Sequence, residues 1–393
     1  MREVDPRSPT PSQPPEERND LKQLRVDIVG TRGYPSYYGG FETAVRKLAP
    51  YLADQGWDVS VYGRSGLDGS ARTDADPRIN SIVTRGIDSK QLSTLSYGFT
   101  SMVKTAIRKP DVALVMNVAN GFWLPLLRLR GIPTLVNVDG IEWDRAKWGR
   151  LAKAMFKLGA RCTARWANEL VFDAKAIGTR WQTDFKRDGT FIPYGGDETS
   201  IDLPVEPGLT ARKYVLLVAR FVPENTVREF FAATPSLAEQ WDVVIVGSSG
   251  YGGEFDELAK QLDDDHPRVH WLGHVRDDAR LLSLWSNAGA YFHGHSVGGT
   301  NPALVQAMAA GAPVVARDTV YNREVLGHNA LFVEADPAAL SEAILQMMQR
   351  DDLAEVADTN RVRAREHYSW PDVCASYHSA LLELVRGRRE GSS

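Results

Sequence analysis

Three short stretches hold the residue types best suited to chemistry. The first, GTRGYPSYYGGFETAV at residues 30–45, delivers Gly39 and Gly40 to the start of an amphipathic segment that begins near Phe41. A helix opening on glycines presents unsatisfied N–H groups and the positive end of its dipole, and the missing side chains let an anion approach closely. Arg32 adds a forked cation in the same turn. The spacing of Gly30, Gly33, Gly39 and Gly40 does not spell the GxGxxG dinucleotide fingerprint. A purely steric turn packing on a sheet accounts for these glycines as well as an anion site does.

The second stretch, YVLLVARFVPEN at 214–225, places Arg220 just past an apolar run. A strand-end position points into a cleft, and a guanidinium suits a bidentate phosphate contact. The third, HGHSVGGTNPALVQAMAAGAPVVA at 293–316, has the order strand, glycine-rich loop, helix. Pro302 fits the first helical position, which leaves Gly298, Gly299, Thr300 and Asn301 as loop and cap and again permits an anion. His293 and His295 lie two apart and could share a direction, but no third metal ligand accompanies them. One packing and the other hydrogen-bonding a ligand is the reading preferred over metal binding.

These stretches need strands to carry them. Apolar runs at 24–30, 58–63, 111–117, 134–140, 169–174 and 190–195 alternate with amphipathic segments such as 41–55 and 145–168. A polar, proline-bearing break follows at 195–213. The alternation then restarts at 213–220, 241–247, 268–273, 289–295 and 312–317 and closes on helical patterns from 337 to about 386. Near-continuous Val, Ile and Leu runs alternating with helices predict parallel strands covered on both faces. The expected fold is α/β, with two Rossmann-like doubly wound domains facing across a cleft. The expected divisions are a disordered leader at 1–20 without an apolar signal region, an N-terminal domain at 21–198, a C-terminal domain at 213–375, and a terminal helix and tail at 376–393.

The 393 residues suit two such domains, and 43% apolar with 24% charged residues excludes collagen-like, wholly disordered and multi-span membrane chains. The greasiest stretch, 112–127, is interrupted by Asn117, Asn120, Gly121 and Pro125 and is too short to span a bilayer. Net charge is −4, which argues against a generic nucleic-acid binder. It is a cancellation: residues 21–195 carry +10 and residues 196–393 carry −12. Lys153, Lys157 and Arg161, with Arg150 and Arg165, recur at helical steps on one face, beside an apolar face of Leu151, Met155, Leu158 and Cys162. That basic face is either simply solvated or drawn to anionic lipid headgroups. Two cysteines, Cys162 and Cys374, give no disulfide framework and fit a reducing cytosol.

Taken with NVDGIEWDRAKW at 137–148, FIPYGGD at 191–197, NREVLG at 322–327 and YSWPDV at 368–373, these stretches resemble GT-B-fold glycosyltransferases of family 4, and more narrowly the bacterial capsule and cell-wall rhamnosyltransferases. The resemblance spans nearly all of residues 24–375. It implies transfer of a sugar, such as rhamnose, from a nucleotide-diphosphate donor held mainly by the C-terminal domain to a lipid-linked or polysaccharide acceptor, with retention of anomeric configuration. It implies no resident cofactor and no bound metal. Arg220 matches the arginine that neutralises the diphosphate, and Gly39 and Gly40 match the loop that approaches the phosphates from the other domain. Asp139 falls where many members have a histidine beside the donor sugar, with Glu142 and Trp143 following in the same loop; a structural aspartate capping the next helix is the alternative for Asp139.

The sequence also departs from the family. Asn225 stands where a lysine usually assists the arginine, and Gly298 and Gln306 stand where paired glutamates are usual. Gln306 retains hydrogen bonding toward ribose hydroxyls, whereas Gly298 must leave sugar contacts to backbone N–H groups or neighbours such as Asn301; His293, His295, Gly299 and Thr300 are further expected donor-binding residues. Arg32, Glu142, Trp143 and the basic face of Lys153, Lys157 and Arg161 are expected to face the acceptor or membrane. These readings lead to the expectation of a cytoplasmic protein, peripheral on the inner face of the plasma membrane. The competing reading is a catalytically silent homologue that binds nucleotide sugar or a partner enzyme.

Overall fold

The computed structural model describes residues 23–36, 39–64, 75–87, 93–145, 148–198, 203–250 and 252–390. The expected leader at 1–20 lies outside the described residues. The N-terminal half contributes strands β1 (Arg25–Val29), β2 (Asp58–Arg64), β3 (Asn80–Thr84), β4 (Val112–Met116), β5 (Thr134–Asn137), β6 (Glu169–Phe172) and β7 (Thr190–Phe191), with helices α1 (Gly40–Asp54), α2 (Ser93–Arg108), α3 (Leu124–Leu129), α4 (Arg150–Trp166) and α5 (Lys175–Phe185). The C-terminal half contributes β8 (Tyr214–Val218), β9 (Asp242–Val246), β10 (Val269–Gly273), β11 (Ala290–His293), β12 (Val314–Arg317) and β13 (Leu331–Val333). Its helices are α6 (Val227–Ala238), α7 (Glu254–Asp265), α8 (Asp278–Asn287), α9 (Pro302–Ala309), α10 (Val320–Leu326), α11 (Pro337–Met348) and α12 (Leu353–His367), and the chain closes with α13 (Trp370–Glu390).

The strands form two parallel sheets, ordered β3-β2-β1-β4-β5-β6-β7 and β10-β9-β8-β11-β12-β13. Period-two alternation sends successive side chains to opposite faces. Val26 and Ile28 of β1 therefore enter one core and Val29 another, while Tyr214 and Leu216 of β8 part in the same way from Val215 and Leu217. Both faces of both sheets are covered, as the continuous apolar runs predict. The order reverses between β1 and β4 and between β8 and β11, and these switch points set the crevice in which a doubly wound sheet binds its ligand.

Two strands escape the sequence pattern. β3 is a largely exposed edge and β13 is three residues long, so neither shows the Val/Ile/Leu run that marks a central strand. The expected division at residue 375 also differs from the structure, because it falls inside α13. That helix crosses back to the first sheet: Trp370, Val373, Tyr377 and Leu381 join Val26, Ile28 and Leu114 in one core, and Asn137 Nδ2 donates to the Tyr377 hydroxyl at 2.7 Å. The C-terminal helix thus belongs to the N-terminal core. Among the described residues no helix is long and apolar enough to cross a membrane.

Candidate active site

The carboxyl ends of both sheets open onto a cleft of about 490 Å³. Gly30 to Arg32 follow β1, Asn117 follows β4, Asp139 lies beyond β5, Asp173 follows β6, and Arg220 and His295 lie just past β8 and β11; all of them line this space. A second cavity of about 240 Å³ extends it into the C-terminal half along Val218, Gly247, Ser248 and His274 and shares Arg220, His295 and Asn301 with the first.

Two helix starts meet in the cleft. α1 begins at Gly40 behind an extended Gly39, and a Cβ at residue 40 would lie 3.3 Å from Cγ of Pro302, the first residue of α9. The missing side chain therefore lets the two N-termini approach each other. Asn301 caps α9 by accepting the Ala303 N–H at 2.9 Å, as the sequence predicts. Glu42 in the first turn of α1 accepts the Arg32 N–H at 3.2 Å and holds the preceding turn against the helix. Gly30 has φ +91°, and a Cβ there would lie 2.2 Å from the Met116 carbonyl oxygen, so this glycine is sterically obligatory. The turn is thus a packing device that also leaves the start of α1 open to the cleft.

On the C-terminal side, Asn225 ties the loop together. Its Nδ2 donates to the Arg220 carbonyl at 2.9 Å, so its Oδ1 accepts from His295 Nδ1 at 2.6 Å. The proton of His295 is thereby held on Nδ1, and Nε2 keeps a lone pair beside Gly298, where a Cβ would lie 3.5 Å away. Burial, followed by the neighbouring His293, Arg145 and Arg220, holds the His295 imidazole well below its ordinary range and keeps it neutral. His293 lies deeper: Tyr291 contacts its Nδ1 at 3.0 Å, its Nε2 has no hydrogen-bond partner, and burial lowers its pKa to about 3. The described residues hold no group of three or more His, Cys, Asp or Glu arranged for a metal ion.

Asp139 has φ +59° and its N–H donates to Asn137 Oδ1 at 2.9 Å. The next short helix, at 142–144, has no side-chain cap, so the capping alternative for Asp139 does not apply. Glu142 pairs with Arg145 at 2.6 Å between Oε1 and Nε and accepts from Trp148 Nε1 at 2.9 Å.

Several expected site residues sit elsewhere. Trp143 is buried in the core against Trp181 and Phe185, because its loop folds its largest apolar group inward. Gln306 borders neither cavity; its amide pairs with the Asp197 backbone, accepting at 3.0 Å and donating at 3.4 Å, since it lies one turn further along α9, beside that segment. Asn225 does border the second cavity, but its amide is already engaged within the protein. Lys153, Lys157 and Arg161 lie on α4, outside the cleft lining. Of the apolar residues beside them, Leu151 is 85% and Leu158 49% exposed, while Met155 and Cys162 are half-buried. α4 instead buries Gly159, Ala160 and Thr163, because Gly121 lets the helix approach so closely that a Cβ there would lie 2.3 Å from Thr163 Oγ1.

Sequence reasoning also missed Arg145 and Asp173, both of which line the cleft. Asp173 ends the run ELVFD, so the strand-end rule that selected Arg220 could have found it. Arg145 had no such signal, being one of several charges in a loop.

Residues 212–350 match the family described as glycosyl transferases group 1, and residues 23–197 match a domain of unknown function, DUF1972. The chain is 33% identical over 223 residues to a phosphatidyl-myo-inositol mannosyltransferase of Mycolicibacterium smegmatis, covering 54% of this chain and 56% of the relative. It is 27% identical over 165 residues to O-antigen chain mannosyltransferase B of Escherichia coli, covering 40% and 42%. The chain thus spans about half the length of the curated relatives it matches. Among solved structures, sucrose-phosphate synthase from Thermosynechococcus elongatus superposes with a TM-score of 0.77 at 18% identity, covering 93% of this chain and 100% of that one. Alr3699/HepE of Anabaena in complex with UDP gives 0.69 at 17%, covering 92% and 100%. The chain therefore has the GT-B fold, two facing parallel-sheet domains, and carries a glycosyl transferases group 1 domain in its C-terminal half.

Proposed function

We propose that this protein is a glycosyltransferase that moves a hexosyl group from a nucleotide-diphosphate sugar to a lipid-linked or polysaccharide acceptor. The observation that carries this reading is the meeting of the α1 and α9 N-termini beside Arg220 in one cleft. Breaking the bond between the anomeric carbon and the phosphate oxygen leaves the electron pair on the diphosphate. Two helix starts and a guanidinium stabilise that charge as it develops. The acceptor hydroxyl forms the new bond to the anomeric carbon and passes its proton to the departing phosphate oxygen, which holds the electron pair of the broken bond, and Asp139 is the polar contact beside the reacting groups. The donor nucleoside lies in the cavity along Val218, Ser248 and His274, with His293 and His295 in its wall.

The finer assignment is rhamnose from a deoxythymidine-diphosphate donor, transferred with retention, supported by the ordered run SVGGTNP at 296–302. The mannosyltransferase relatives make mannose the competing sugar. Gly299, Thr300 and Asn301 line the donor side, and Arg32 and Glu142 the acceptor side. The exposed face of α4, with Lys153, Lys157, Arg161, Leu151 and Leu158, docks on the anionic cytoplasmic face of a membrane, where basic and apolar groups reinforce each other.

The test is incubation of purified protein with dTDP-rhamnose, GDP-mannose and UDP-glucose and a lipid-linked acceptor. Release of nucleoside diphosphate with a glycosylated product supports the reading, and the anomeric coupling in the product reports stereochemistry. Binding of a nucleotide sugar without turnover of any would leave the silent homologue instead.

A further inference from the structure

Asp173 is a fully buried carboxyl, 1% exposed, that lies just past β6 of the N-terminal sheet and borders the cleft. It touches the glycine-rich loop of the other half. A Cβ at Gly299 would lie 2.0 Å from Asp173 Oδ1 and 2.6 Å from Oδ2, so residue 299 has no side chain because the carboxyl of residue 173 fills that space. Thr300 secures the contact, its N–H donating to the Asp173 carbonyl at 3.4 Å and its hydroxyl to the same oxygen. Asp173 Oδ1 itself has no hydrogen-bond partner in the protein. A buried oxygen without a partner is costly unless a ligand supplies one, and buried polar groups are otherwise nearly always satisfied.

We propose that Asp173 reads a hydroxyl of the donor sugar, supplying from the N-terminal domain the polar side chain that Gly298 and Gly299 do not provide. This inference rests on the nucleotide-sugar reading of the cleft. The loop at 298–300 holds the sugar by backbone and Asp173 reaches across to it, so the sugar subsite is assembled from both domains. The groups facing this carboxyl are Asp139 and Glu324, which oppose its ionisation, and Arg145, which favours it. Burial is the largest influence and holds the Asp173 carboxyl well above the usual carboxylate range. When protonated, the carboxyl offers one donor and one acceptor, a match for a sugar hydroxyl, which is both.

The experiment compares wild type, Asp173→Val and Asp173→Asn by calorimetric titration with UDP, dTDP and GDP and with UDP-glucose, dTDP-rhamnose and GDP-mannose. Valine keeps the volume and removes both oxygens; asparagine keeps a donor and an acceptor. Neither introduces a buried charge, and thermal melting verifies that both fold. The readout is the affinity added by the sugar, taken as the ratio of the Kd for the diphosphate to the Kd for its sugar conjugate. The expected result is a roughly tenfold loss of that ratio in Asp173→Val, the size of one hydrogen bond to a buried partner, with diphosphate affinity unchanged and the ratio retained in Asp173→Asn. An unchanged ratio in Asp173→Val, or an equal loss for diphosphate and conjugate, overturns the assignment of Asp173. If wild type binds none of the six compounds, the nucleotide-sugar reading fails and this inference with it. If wild type binds a conjugate and Asp173→Val binds it equally well, only the assignment of Asp173 fails.

Discussion

Replacing Arg220 with alanine tests the proposed diphosphate site most directly. Arg220 lies at the junction of the two cavities, just past β8, and its exposed side chain is free to meet a ligand. Its backbone carbonyl, held by Asn225 Nδ2 at 2.9 Å, survives the substitution, so the loop keeps its anchor. A guanidinium forks onto phosphate with two charge-assisted hydrogen bonds, each worth about 1.5–3 kcal/mol when desolvated. Solvent screening in the open cleft about halves that pair, which gives a total loss of roughly 1.5–3 kcal/mol, or about 10- to 150-fold in Kd. Calorimetry with UDP, dTDP and GDP measures this loss, and repeating it at higher salt should shrink the gap between the proteins as charges are screened. Arg220→Lys keeps the charge but not the fork and should fall between the two. A Kd for the diphosphates within twofold of wild type would refute the placement of phosphate at Arg220.

Three further outcomes follow from the same geometry. Charge reversal of Lys153, Lys157 and Arg161 should lower sedimentation with phosphatidylserine vesicles, at about 1 kcal/mol per basic residue near the surface, and Leu151→Ser with Leu158→Ser should lower it further. Unchanged sedimentation in both would make α4 ordinary surface. Because His293 is depressed to about 3 from an ordinary value near 6.5, its contribution to stability is complete above pH 6.5 and is lost as pH falls toward 3. The slope is about 1.4 kcal/mol per pH unit, so His293→Gln should flatten the decline of melting temperature below pH 6.5; parallel curves would contradict a neutral buried imidazole. Trp143→Ala should cost about 3–5 kcal/mol in denaturant unfolding, as for other buried aromatics. A change in acceptor KM with no loss of stability would return Trp143 to the acceptor site.

Much of the site was legible because strand ends and helix starts are local events. The run YVLLV marks a buried strand by composition, and the residues just past it face the crevice, so Arg220 could be chosen without knowing its neighbours. Asn301 and Pro302 are cap and first-turn residues by chemistry alone, and they occupy those places. Gln306 failed because it lies a full turn, about 6 Å, along α9 from the helix start that borders the cleft, and only the tertiary structure shows that it meets Asp197 there. α4 failed in a similar way. Its hydrophobic stripe looked like a core face, yet the contact was made by Gly159 and Thr163 against Gly121, where small size rather than apolarity decides which face packs.

By itself the sequence determined the two parallel, doubly wound sheets, the division of charge into +10 and −12, and the strand-end and helix-start positions of the cleft. These depend on periodicity and composition, which act over a few residues. Only the tertiary structure decided that α13 returns to the N-terminal core, that Asn225 orients His295, and that Asp173 meets Gly299 across the two halves. Each joins residues distant in the chain, and such contacts are set by how two completed sheets pack, which no local pattern encodes.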